Sequence, residues 1–197
     1  MKIRVTSFML ITLLFLNNAY AEKVVNAKGA ELTLHRLERL VFLKKINESF
    51  LTKFRSLELF VLEPQTPEDP SYKSLVKEYA NANGSHNVLS VFLDENGKAM
   101  LHEAASAGDA QGAPTWPETD PVTLSENALH FVLEEGAKGN PEILPFYNAF
   151  LSLEISQASN PDGSIKAHVK MVSKNQPKAL LVIMNSDGTF NSSKILD

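Results

Sequence analysis

Two phrases of this chain are near copies of each other. "KFRSLELFVLE" begins at Lys53 and "AFLSLEISQAS" at Ala149, and Ser56 stands 96 positions before its counterpart Ser152. A chain that says the same thing twice must fold the same way twice. The residues after position 21 suffice for one good core or for two small ones, one per copy.

The match continues downstream. "VLSVFLDENGKA" from Val88 corresponds to "ALLVIMNSDGTF" from Ala179. Leu89, Val91 and Leu93 fall on one side of an alternating segment, as do Leu180, Val182 and Met184, which is the pattern of half-buried strands. The runs Asp94-Glu-Asn-Gly97 and Asn185-Ser-Asp-Gly188 read as hairpin turns. Between these blocks, "GSIKAHVKMVS" is a strand with Ile165, Ala167, Val169 and Met171 on one face. Its counterpart "YKSLVKEYAN" looks helical in isolation, and is assigned as a strand because its neighbours correspond.

Upstream, "TLHRLERLV" from Thr33 aligns with "TLSENALHFV" from Thr123. Leu34, Leu37, Leu40 and Val41 form a helical stripe, as do Leu124, Ala128, Phe131 and Val132. The first helix is expected to run on to between Phe50 and Phe54. Thr123 with Glu126 reads as a capping box, with Pro121 just outside the helix. This alignment sets the threonines 90 positions apart, so an insertion at "GAKGNP", Gly136 to Pro141, is needed to reach the later spacing.

The expected fold is therefore α+β: an internal duplication of a helix packed on a roughly four-stranded antiparallel sheet. The strands fall near 56–63, 73–81, 87–93 and 98–104, then 150–158, 164–173, 179–185 and 189–195. Residues 22–105 form the first repeat, the Gly- and Pro-rich 106–122 a linker, and 123–197 the second repeat.

Residues 1–21, "MKIRVTSFMLITLLFLNNAYA", read as a signal peptide: Lys2 and Arg4, an apolar run from Phe8 to Leu16, then a small-x-small ending. The expected protein is exported to the periplasm or beyond, with no transmembrane segment after removal of the signal. What remains carries 17 Lys and Arg against 23 Asp and Glu. That acidic balance argues against nucleic acid as a partner. The chain has no cysteine, which excludes disulfides, thiol nucleophiles, iron–sulfur clusters and cysteine-type zinc sites.

Catalytic signatures are sparse. There is no HExxH pair, GxSxG elbow or Gly-rich phosphate loop. These readings point to a non-catalytic binding or protein-interaction module of the periplasm or envelope, without a cofactor. Its partner would be a protein, a peptide or a small apolar molecule. Trp116, Tyr147, Glu58 and Glu154 are the candidate contacts, the two glutamates because the repeat makes them equivalent. The contrary reading is a metal-binding protein or metal-dependent hydrolase using His86, His102 and Glu103, which a hairpin would bring near one another. His35 and His130 sit near corresponding positions of the two helices, and would form a metal pair if those helices faced each other. The aromatic residues, Phe42, Phe50, Phe54, Phe60, Phe131, Phe146 and Phe150 among them, are assigned to the core.

Overall fold

The computed structural model describes residues 26–66 and 68–197. The segment read as a signal peptide lies outside these residues. The chain begins with α1 (Asn26–Phe42) and a short α2 (Ser49–Thr52), followed by β1 (Phe54–Val61), β2 (Tyr72–Glu78), β3 (Val88–Leu93) and β4 (Ala99–Ala105). The same order recurs in α3 (Pro121–Ala137), α4 (Leu144–Asn148), β5 (Phe150–Ser159), β6 (Ile165–Ser173), β7 (Ala179–Asn185) and β8 (Phe190–Leu196). "YKSLVKE" is indeed a strand.

All eight strands join one antiparallel sheet in the order β4-β3-β2-β1-β5-β6-β7-β8. The two meanders meet at β1 and β5, where Leu57 pairs with Leu153, flanked by Ser56–Glu154 and Glu58–Ser152. Leu57 and Leu153 are equivalent residues of the repeat, so the internal two-fold axis passes through that pair. Alternation in each strand turns one face toward the helices. Leu57, Leu59, Val76, Leu89, Val91 and Leu93 are fully buried there, as are Val169, Met171 and Val182. Such half-covered sheets produce the apolar-in, polar-out rhythm visible in the sequence.

Helix α1 buries Ala27, Ala30, Leu34 and Leu37, and α3 buries Val122, Ser125, Leu129 and Val132. Both helices span 17 residues, and they start 95 positions apart, at Asn26 and Pro121. The equivalent phrases are thus "ELTLH", Glu31 to His35, and "ENALH", Glu126 to His130. Aligning Thr33 with Thr123 slips the helices by five residues, and no insertion at Gly136–Pro141 is required. Thr33 ties α1 to the sheet instead: its Oγ1 donates to Gly29 O at 2.9 Å and lies 2.7 Å from Ser74 Oγ, pinning α1 to β2.

The first helix stops at Phe42, earlier than its apolar stripe suggested. The chain turns through Lys44, at φ 55°, and Lys45 N closes the end by donating to Leu40 O at 2.9 Å. Phe42 is left 84% exposed. Phe42 and Phe60 both stand out of the core to which the sequence assigned them. Phe131 stacks on Phe190, with ring centroids 4.5 Å apart.

The start of α3 also differs from the capping-box reading. Asp120 is the cap: its Oδ1 accepts from Val122 N at 2.9 Å and Thr123 N at 3.0 Å. Pro121 then occupies the first turn, where its missing N–H costs nothing. Glu126 is relieved of capping and faces α1.

Candidate functional site

The two long helices pack against each other, and the contacts show their direction. His35 Nδ1 of α1 is 3.1 Å from Glu126 Oε1 of α3. One turn away, His130 Nδ1 of α3 is 3.6 Å from Glu31 Oε1 of α1. Ascending α1 means descending α3, so the helices run antiparallel. Glutamate and histidine four residues apart lie on one helix face. Each repeat therefore presents a Glu–His pair, and the docking crosses the pairs.

Only one of the crossed pairs is open to a cation. Glu31 is already paired with Lys28 on its own helix. The position in α3 equivalent to Lys28 is Thr123, whose hydroxyl donates to Asp120, so Glu126 receives no such partner. The position in α3 equivalent to Glu38 is Leu133, which packs against the core. His130 is held instead between Glu31 and Glu134, one at each ring nitrogen. The repeat is symmetric in backbone and asymmetric in charge.

The open cluster is His35, Glu38 and Glu126. One ligand atom from each lies within 4.8 Å of the others. His35 and Glu38 come from one face of α1, three residues apart, and Glu126 crosses from α3. Glu126 forms the sheltered floor, with its side chain 12% exposed, while His35 is open to solvent. The Oε1 atom of Glu126 is buried and accepts no hydrogen bond, since the His35 nitrogen beside it is not aligned to donate. An unsatisfied buried carboxylate oxygen is costly.

The electrostatics agree with the geometry. Burial pushes the Glu126 carboxyl up to about 8, and the neighbouring negative charges of Glu38, Glu31 and Asp120 push in the same direction. Desolvation and like charge both disfavour its ionised form. A cation among these carboxylates reverses both effects. One imidazole nitrogen and two carboxylate oxygens form a donor set suited to zinc and neighbouring divalent transition metals.

His86, His102 and Glu103 are placed differently. His86 Nδ1 lies 2.7 Å from Glu78 O. His102 and Glu103 are consecutive on β4, paired with Val91 and Ser90 respectively, and consecutive strand residues point to opposite faces. Among the described residues these three do not form a group with mutually close ligand atoms.

Glu58 and Glu154 lie on either side of the β1–β5 seam, each with its own cation. Lys77 Nζ is 2.9 Å from Glu58, and Arg55 pairs with Glu154. Trp116 packs against the core just before α3 and lines a cavity of about 400 Å³ with Lys53 and Pro114. Tyr147 packs against Gly136, where a Cβ would collide with its ring.

The expectation of a non-catalytic binding module is corrected by this cluster. Three convergent ligands with an exposed side favour the metal reading, and they do so on α1 and α3 rather than on the β3–β4 hairpin. The signal for it was present in "ELTLH" and "ENALH". Once those phrases are aligned, two facing helices must cross their glutamates and histidines. No family model matches the chain, and no curated protein or solved structure is similar to it. Among the described residues no helix is long and apolar enough to cross a membrane.

Proposed function

We propose that this protein binds one divalent transition-metal ion through His35, Glu38 and Glu126 and uses it for metal-dependent hydrolysis. The observation that carries the reading is the convergence of those three ligand atoms within 4.8 Å, beside a buried carboxylate oxygen with no donor. Three protein ligands leave coordination positions for water and for a substrate oxygen, the arrangement of catalytic rather than structural sites. His35, Glu38 and Glu126 would hold the ion, which when bound would supply Lewis-acid activation of water at neutral pH. Glu126, which holds a proton below about pH 8, releases it when the metal binds.

Calorimetric titration of chelator-treated protein with zinc tests the proposal. One zinc per chain is expected, with net proton release at neutral pH. Failure of zinc, manganese and cobalt alike to bind removes the reading. The charged start, apolar run and "AYA" of residues 1–21 support a place outside the cytoplasm. An N-terminus at Glu22 in protein recovered from its host is the expected result.

A further inference from the structure

Beside the metal cluster, sharing His35 with it, lies a cavity of about 370 Å³. It is lined by His35, Leu32, Arg36, Arg39, Gly97 and Lys98, and no acidic residue is among its walls. Arg36, Arg39 and Lys98 take part in no ion pair among the described residues. Arg36 Nε is buried and donates to nothing. Three unpaired cations around one hollow repel one another, and a buried guanidinium N–H without an acceptor is an unmet demand.

The sequence invests in this arrangement. Lys98 follows a tight turn in which Asp94 Oδ1 accepts from Asn96 N at 2.9 Å and from Lys98 N at 2.8 Å. Gly97 closes that turn at φ 76° and is packed so closely that a Cβ would run into Leu32. The β3–β4 turn is thereby seated against α1, next to Arg36 and Arg39.

We infer that this cavity binds the phosphate group of a small phosphate monoester, the substrate class of the adjoining metal site. The guanidinium fork matches two oxygens of a phosphate, and the lysine adds a point charge. Two arginines and a lysine balance a dianion better than the single charge of a carboxylate. His35 belongs to both sites, so an anion seated here touches the metal's own ligand. The substrate role rests on the metal reading; the anion site itself stands on the cavity and its unpaired cations.

The test is calorimetric titration of the purified protein at low ionic strength with phenyl phosphate, and with benzoate for comparison, with and without zinc. Phenyl phosphate is expected to bind even without zinc, and more tightly than benzoate. Arg39→Gln and Lys98→Gln, both exposed positions, are each expected to weaken phenyl phosphate about 10-fold or more and to leave zinc affinity unchanged. Glu126→Gln is expected to lose zinc and keep phenyl phosphate. Equal affinity for benzoate, no binding by the wild type, or unweakened binding by both cavity variants would overturn the inference. Phenyl phosphate binding by a protein that takes no zinc supports the anion site while removing the metal reading.

Discussion

Replacing Glu126 by Gln should make the apo protein more stable at alkaline pH while abolishing its metal site. Glutamine keeps the shape of the protonated carboxyl and cannot ionise. In the native fold that carboxyl titrates at about 8, raised from 4.5 by burial and by Glu38, Glu31 and Asp120. The native state therefore holds a proton that the unfolded chain has lost between those two values. Stability must fall as pH rises through that window, and the full penalty is present above it. Each factor of ten in proton affinity is about 1.4 kcal/mol, which sets an uncorrected ceiling of about 5 kcal/mol. Solvent reaches the cluster on the His35 side and screens the repulsion, so about 2 kcal/mol is the working magnitude. For a chain of this size that is a rise of about 4–8 °C in Tm. Thermal unfolding followed by circular dichroism, in chelator, checks it. The variant and wild type should melt together near about pH 4.5 and separate by that amount near about pH 9. Zinc at about 100-fold above its Kd should then stabilise the wild type by roughly 2.7 kcal/mol and the variant not at all. A variant equal to or less stable than wild type at about pH 9 would refute the idea that Glu126 is held against its own preference.

Three further perturbations separate site from scaffold. His35→Ala should weaken zinc by about 100-fold or more, whereas His130→Ala, on the half-site closed by Lys28, should leave zinc binding intact; both are read by calorimetry. Asp120→Ala removes the cap of α3 and should cost about 1–2 kcal/mol in urea unfolding, with an unchanged slope. Gly136→Ala forces a methyl against Tyr147 and should cost about 1–3 kcal/mol in the same assay.

The strands were legible because a sheet covered on one face prints its burial directly into the sequence. Leu89, Val91 and Leu93 alternate, and all are buried. Even β2, helical by local pattern, yielded to the repeat. The helices were harder. A stripe of leucines says which face is buried but tolerates a slip of one turn or more, and Thr33 and Thr123 offered a false anchor. Helix length was overestimated for a related reason: the turn at Lys44 has no glycine or proline to mark it. The helices do face each other, as a His35–His130 metal pair required, but their docking sets each histidine against a glutamate. Of that pair only His35 enters the cluster, and the cluster's two carboxylates were missed with the helix register. His35 and Glu126 are far apart in sequence, and only the docking of α1 on α3 joins them. The trio of His86, His102 and Glu103 was inferred from nearness along a hairpin, while the pleat sends adjacent residues to opposite sides.

The pairing of Leu57 with its own counterpart Leu153 is the contact that two identical subunits would make across a crystallographic dyad. Identical subunits are bound to identical surfaces: a lysine placed beside one glutamate appears beside the other, and both half-sites close or open together. Covalent tandem copies are free of that rule. Here Lys28 answers Glu31 while Thr123 leaves Glu126 unanswered, and the twin of Glu38 is the core residue Leu133. Joining the halves in one chain lets a symmetric scaffold hold a one-sided site, in which one repeat contributes two ligands and the other supplies the third.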